Sequence, residues 1–509
     1  MQKREFLLLV LFIFIILTCQ TLTYNTIDMD YWARLLQGNA FWELGHILKT
    51  DPFSYTQTHV WLDHEWGSSV IFSFIQNNFG FNGILLFKTI LATTIFALIF
   101  ATIKLETEKN NSFLNIAYFL FAMSAIPTIV HSGLRCHFFT FLFFTLFIFI
   151  LELVRKKQKD RLLITLPIIM LFWSNIHGGC VSGIGLLLLY TIGEFLNKKE
   201  YKKYIMTLLG CLTVMFINPY GFDYVKFIFM ASTMSRPFVT EWISPFEHPN
   251  ANFMIEFKIL YAINFALILL NIKKFKTDYT KFLVLIVCAL VSLKYVKNTP
   301  FFIIVSFIFL YEYLTAFFTV KMSEKANKIL TIILIFSSLF LISKDAIGSL
   351  KYSFLSEQPL RVVEFIKINE LKGKIISQFD MGSYIAYKLY PDILIYMDGR
   401  YEEVYYKETK DYLDDFYIVK DNWDKVLETN PDYIVVPTNA LINDKLQENN
   451  KYKLIYKNET NCLYSSINNL KQEYKLPSND IKYYEQTAFE SKFSYKDEIT
   501  INGKRVIFK

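Results

Sequence analysis

Long apolar runs, interrupted by short polar connectors, constrain this chain more than any single motif. They fall at roughly 5–24, 82–103, 113–132, 137–154, 161–176, 180–196, 204–218, 254–272, 281–296, 301–319 and 329–347. A helix of about 20 apolar residues crosses the ~30 Å hydrocarbon core of a bilayer. The runs therefore predict an α-helical polytopic membrane protein of about eleven transmembrane helices. A hydrophobic fraction of 53%, with 50 Phe, rules out water as the only solvent of the fold. Residues 5–24 follow Lys3 and Arg4 as a signal peptide would, but the run is long, aromatic and without a small-residue cleavage site, so it reads as a retained first helix.

The connectors set the topology. Lys104 and Lys109, then Arg155, Lys156, Lys157, Lys159 and Arg161, then Lys198, Lys199, Lys202 and Lys203, then Lys273, Lys274, Lys276 and Lys281, then Lys321, Lys325 and Lys328 occupy alternate loops. Basic loops stay cytoplasmic, on the side of Lys3 and Arg4. The net charge of +7 is thus spent on topology, and nucleic-acid binding is excluded. Loops 25–81, 130–137, 175–180, 218–253 and 297–300 become external in a plasma (inner) membrane, as does the tail. Two domains are expected: 1–350, membrane-embedded with the long first external loop 25–81, and 351–509, a small extracytoplasmic α/β domain. In the tail, strand-like 375–377, 393–397 and 433–437 alternate with helical 382–389 and 406–427. The six cysteines have neither disulfide-framework nor zinc spacing, and no Walker loop, GxSxG or kinase-type set is present.

The external loops hold the residues suited to chemistry. Loop 25–81 is far longer than a connector needs to be, and such loops carry function or structure of their own. Within it, 31–48 and 66–79 have helical spacing and read as amphipathic segments lying at the interface. Asp28 and Asp30 follow the first helix directly, which holds a carboxylate pair at the membrane surface. One can act as general base on an acceptor hydroxyl, and a second acid nearby tunes its pKa or helps hold a divalent cation. Asp63, His64 and Glu65 offer a second cluster, and Asp51-Pro52 reads as a turn or helix cap. Arg135, between His131 and His137, suits either a bidentate grip on phosphate or a snorkelling helix end. Asn175 and His177 sit in WSNIHGG, where a glycine pair lets the chain turn at the membrane face. Arg236, Glu241, Trp242, Glu247 and His248 crowd loop 218–253. Trp with Glu suits a sugar, and Trp at this depth also suits an aromatic belt, as does Trp66. In the tail, Gly382-Ser383 opens a helix and Asp398-Gly399-Arg400 forms a turn, which suits either an anion or plain structure.

This layout resembles the GT-C superfamily of polytopic glycosyltransferases, which take a sugar from a polyprenyl-phosphate carrier. The residues that carry the resemblance are Asp28 and Asp30, DPFSYT at 51–56, WLDHEW at 61–66, WSNIHGG at 173–179, NPYG at 218–221 and MDGR at 397–400. The chain has no clear Asp-Glu dipeptide of the protein mannosyltransferase type and no WWD motif of the oligosaccharyltransferase type. The resemblance implies a polyprenyl-phosphate-linked sugar donor, a lipid, glycan or protein acceptor, and an acid of the first loop, Asp30 or Asp28, as base or metal ligand. Arg135 and Arg236 would hold the phosphate, and His137, His177, Asn175, Glu241, Trp242 and Trp66 would line the substrates. A lipid-phosphate leaving group needs charge neutralisation, supplied either by arginine alone or by Mg2+ or Mn2+ on Asp28, Asp30, His64 and Glu65. The alternatives are a transporter or flippase, which calls for charged or broken helix centres, and a non-catalytic assembly partner for lipid-linked saccharides.

Overall fold

The computed structural model describes residues 17–18, 29–106, 134–234, 239–275, 277–317, 329, 359–419, 422–477, 497–501 and 504–508. The helices, in chain order, are α1 (Met29–Leu44), α2 (Trp66–Glu106), α3 (His137–Lys157), α4 (Thr165–Ile176), α5 (Val181–Leu196), α6 (Lys202–Val214), α7 (Phe222–Thr233), α8 (Ile255–Leu270), α9 (Tyr279–Lys294), α10 (Thr299–Phe317), α11 (Leu360–Ile368) and α12 (Phe379–Leu389), with shorter turns of helix between and after them. The chain divides into two compact units. One comprises Met1–Tyr24 with Leu85–Ser349, the other Asn25–Ile84 with Leu350–Lys509. The long loop after the first apolar run thus groups with the tail.

In the helical unit, the backbone must satisfy its own hydrogen bonds wherever lipid replaces water, and helices do so. Three helical segments among the described residues are long and apolar enough to cross a membrane: Trp66–Glu106, His137–Lys157 and Gly178–Leu196. Other expected spans are met by shorter helices, and those at 5–24, 113–132 and 329–347 lie almost wholly outside the described residues. α5 packs on α6 and α9, α10 on α8 and α9, and α4 on α3 and α6. Thr145 and Thr191 hide their hydroxyls by donating to the carbonyls of Phe141 and Leu187, 2.7 and 2.8 Å away. At the far end of α3, the Arg155 guanidinium donates to Glu152 (2.9 Å), Glu194 of α5 (2.9 Å) and Asp278 at the head of α9 (2.7 Å). Asp278 also caps α9 by accepting from the Lys281 amide.

The other unit is built on a sheet of order β2-β1-β3-β5-β4-β6-β7, with β1 (Gly373–Ile376), β2 (Ile393–Ile395), β3 (Tyr433–Pro437), β4 (Tyr452–Lys457), β5 (Asn461–Ser466), β6 (Asp497–Ile501) and β7 (Lys504–Phe508). β1 runs parallel to β2 and β3, while the remaining pairs are antiparallel. The apolar strands IIS, ILI and YIVVP form where alternation predicts them. The β4–β5 hairpin was not evident, because a register shift between Leu454 and Tyr456 breaks the period of two that betrays a strand.

The first loop completes this sheet. Ser54 bridges Ile395 in parallel and Thr58 bridges Tyr405 in antiparallel fashion, so residues 53–55 run along the free edge of β2 and 58–59 beside residues 404–405. The Tyr55 amide donates to Ile395, the Ile395 amide to Phe53 and the His59 amide to Val404, each at 3.0 Å. α1 packs on α12, with Trp32 edge-on to Tyr384 at 5.0 Å. This corrects the interfacial reading of 31–48: Tyr31 to Gly38 are all buried, and only the end of α1, with Trp42 and Leu44, is exposed. The segment 66–79 is helical as expected, but it runs on as α2, bent at Gly80, where φ is 62°.

The first turn of α12 lies so close to the turn at 397–400 that a Cβ on Gly382 would stand 2.3 Å from the Met397 carbonyl oxygen. Backbone cannot yield to such a contact without moving the helix. Gly382→Ala is therefore expected to destabilise this unit by about 1–3 kcal/mol. A lowered thermal midpoint of the purified protein, with faster proteolysis of the tail, is the measurement.

Candidate functional site

Two buried ionic clusters tie the first loop to the tail, and Trp61 joins them. In the first, Arg400 of the 397–400 turn is fully buried, and its Nε lies 2.8 Å from Asp398. Its other nitrogens donate to Asp51 at 2.9 and 3.4 Å and to the Tyr405 hydroxyl at 3.0 Å. Ser383 donates to Asp398 at 3.0 Å, and the Tyr405 and Ser54 hydroxyls are 2.6 Å apart. The guanidinium sits 4.6 Å from the Trp61 ring centroid and 5.5 Å from that of Phe53, a cation–π arrangement. Asp51 also accepts from the Phe53 amide at 3.0 Å, so the expected Asp-Pro turn is present with an ion pair added to it.

In the second cluster, Arg34 of α1 donates to Asp63 at 2.5 Å and to Glu403 at 3.2 Å, and it lies 3.5 Å from Glu65. His64 Nδ1 is 2.9 Å from Glu403, whose other carboxylate oxygen accepts from the Trp61 indole at 3.2 Å. Burial lowers the pKa of His64, but the Glu403 carboxylate more than offsets it and holds the imidazole above its ordinary value. Burial raises Glu403 in turn, yet Arg34 and His64 keep it below the usual range. The Asp63 carboxyl is pushed up by complete burial against the pull of Arg34.

The expected residues of the first loop fall as follows. Asp28 lies outside the described residues. Asp30 stands in the first turn of α1, half-buried, with one carboxylate oxygen against Gly399. Trp66 opens α2, its ring 6.3 Å from that of Phe41. His64 and Glu65 come together with Glu403, which the sequence reading missed, so that one ligand atom from each lies within 4.8 Å of the others. One imidazole nitrogen and two carboxylates suit a hard or borderline cation such as Mn2+. Arg34 competes for the same oxygens, so a cation would take them by displacing its guanidinium. Asp30 is not part of this group.

In the helical unit, Arg135 pairs with Glu241, which precedes Trp242 in the turn Thr240–Trp242. Trp242 carries the Lys297 ammonium 2.8 Å above its ring centroid and meets Tyr295 edge-on. His137 opens α3 with its ring 5.1 Å from both Phe138 and Phe141. His177 Nδ1 lies 2.6 Å from the Thr140 hydroxyl and accepts from the Gly179 amide. Asn175 donates to the Leu171 and Ile217 carbonyls at 2.8 and 2.9 Å, which ties the end of α4 to the chain beyond α6. Arg236 and His131 lie outside the described residues. Lys88, within the apolar run 82–103, is buried with its ammonium 5.9 Å from the Phe138 ring. Arg34 had a sequence signal, a cation at a core-facing position between Tyr31 and Leu35. Glu403 had none.

Removing Arg34 leaves Asp63 buried without its countercharge and Glu403 with His64 alone. Arg34→Met is expected to cost about 3–5 kcal/mol, seen as a large fall in the thermal midpoint. His64 adds a pH dependence. Its folded pKa is raised, so its contribution is full below the unfolded value of about 6.5 and is lost as pH rises through the folded value. The thermal midpoint of the native protein should fall over that window, and in His64→Gln that part of the slope should vanish.

No protein-family model matches the sequence, and no curated protein matches it. Among solved structures, the oligosaccharyltransferase of Archaeoglobus fulgidus, tethered to an acceptor peptide containing an NVT sequon, superposes with a TM-score of 0.58 at 12% identity. The match covers 95% of this chain and 75% of that one. At this identity the likeness shows the fold alone, and the chain shares the fold of that oligosaccharyltransferase.

Proposed function

We propose that the protein is a multi-pass membrane glycosyltransferase that transfers a sugar from a polyprenyl-phosphate carrier to a lipid, glycan or protein acceptor on the extracytoplasmic face of the plasma (inner) membrane. In this reading the chain crosses the membrane about eleven times, with its N-terminus cytoplasmic. Residues 1–350 form the membrane domain with its long external loop 25–81, which groups with the tail 351–509 outside the membrane. The observation that carries the proposal is the placing of Asp30: a carboxylate at the head of α1, held against a turn that a buried guanidinium fixes, in a chain of GT-C fold.

Asp30 takes the proton of the acceptor hydroxyl, whose oxygen then bonds to the anomeric carbon as the bond from that carbon to the phosphate oxygen breaks. The polyprenyl phosphate departs with a charge that must be neutralised. That task is assigned to Arg135, which exchanges its Glu241 partner for the phosphate, and to Arg236. His137, His177, Asn175, Trp242 and Trp66 are assigned to the substrates. Mg2+ or Mn2+, if held by His64, Glu65 and Glu403, would add positive charge for an anionic group.

The test is transfer by purified protein in detergent, from radiolabelled polyprenyl-phosphate sugars to a membrane extract. Asp30→Asn is expected to fold normally and lose about 100- to 10,000-fold in rate. Equal rates in the two proteins would remove Asp30 from the chemistry. An inactive native chain with every donor would favour transport or assembly of lipid-linked saccharides instead.

A further inference from the structure

The turn Met397–Arg400 is closely approached from two sides. On one side is Gly382 of α12, whose added Cβ would lie 2.3 Å from the Met397 carbonyl oxygen and 2.9 Å from the Asp398 Cβ. On the other is Asp30, whose Oδ1 lies 2.9 Å from where a Cβ on Gly399 would stand. The turn between them does not drift, because Asp398 and Arg400 are locked to each other, to Ser383 and to Asp51 of the first loop. We propose that this turn of the tail positions the Asp30 carboxylate, with Gly399 as a positioning residue whose missing side chain leaves the carboxylate its place. The inference rests on Asp30 being the base, and it gives the tail a part in the chemistry that the first loop performs.

The two glycines differ in what a methyl group would meet. At Gly382 it meets backbone. At Gly399 it meets only the tip of the Asp30 side chain, and no left-handed φ strains the substitution. Alanine at 399 is therefore accommodated by the fold and displaces the carboxylate. Small displacements of a reacting group are expensive, since about 1 Å of misplacement costs up to ~100-fold in rate.

The experiment compares the full-length native protein, Gly399→Ala and Asp30→Asn in the transfer assay across pH, with thermal midpoints as the folding control. It also follows carbodiimide-driven amidation of Asp30 by peptide mass spectrometry, which needs no sugar substrate. In Gly399→Ala, kcat is expected to fall about 10- to 100-fold with KM for the donor nearly unchanged. The acid limb of its pH profile and the rate of Asp30 amidation should both shift, while the thermal midpoint stays close to native. A folded Gly399→Ala protein with native kinetics, pH profile and amidation rate overturns the inference, even where Asp30→Asn is dead. Native transfer by Asp30→Asn overturns instead the assignment of the base, and the amidation rate then decides alone whether the turn places this carboxylate.

Discussion

The fully buried guanidinium of Arg400 is the interaction on which the α/β unit depends. An unpaired cation cannot persist away from water, and two carboxylates meet this one, Asp398 within its own turn and Asp51 from the first loop. Once the ions are buried, taking away either partner leaves the other charge without solvent or countercharge, which is far more damaging than losing an exposed pair. Segments 349 residues apart in sequence are thereby made into one structure. Trp61 extends the effect, because its ring face receives Arg400 while its N–H donates to Glu403 in the neighbouring cluster.

The helical unit uses the same principle at one end of its bundle. Arg155 satisfies Glu152, Glu194 and Asp278 from three different elements, and the Tyr190 hydroxyl donates to Glu152 as well. Sequence reasoning counts Arg155 among the loop cations that orient a membrane protein. Its side chain is buried among carboxylates, so it also fixes how α3, α5 and α9 meet. Around Arg155 the charges lie at helix ends and pair with one another, which is the pattern of a structural clamp.

What was legible in the sequence follows from the range of the forces involved. Apolar run length and alternation are local, so α3, α5, β1, β2 and β3 were each foreseen near their places, as was the helix at 66–79. The grouping of the first loop with the tail was not legible, because β-bridges such as Ser54 to Ile395 depend on residues with no sequence signal for their partner. The site shows the same division. His64 and Glu65 declared themselves by proximity in sequence, whereas Glu403 joins them only through the fold. Asp398-Gly399-Arg400 suits either an anion or a structural turn from sequence, and the structure has the turn, with the arginine buried against an aspartate of the first loop that no tripeptide can name.

Residues 51–62 show how charge and apolar burial act together here. The segment touches the sheet edge through only two isolated bridges, and backbone pairing alone would accept a shift of one or two residues. Phe53 and Trp61 are buried there, and a slip of one residue would turn both to the other face. An aspartate that must reach a guanidinium in bidentate fashion allows no such freedom: a slip of one residue puts Lys-flanked Thr50 or Pro52 where Asp51 belongs and leaves Arg400 with Asp398 alone. The ion pair thus reinforces the register that the burial of Phe53 and Trp61 also requires. Because α1 precedes this segment and α2 follows it, the chosen register also fixes where Arg34 and Asp63 meet, and with them the helix that carries Asp30.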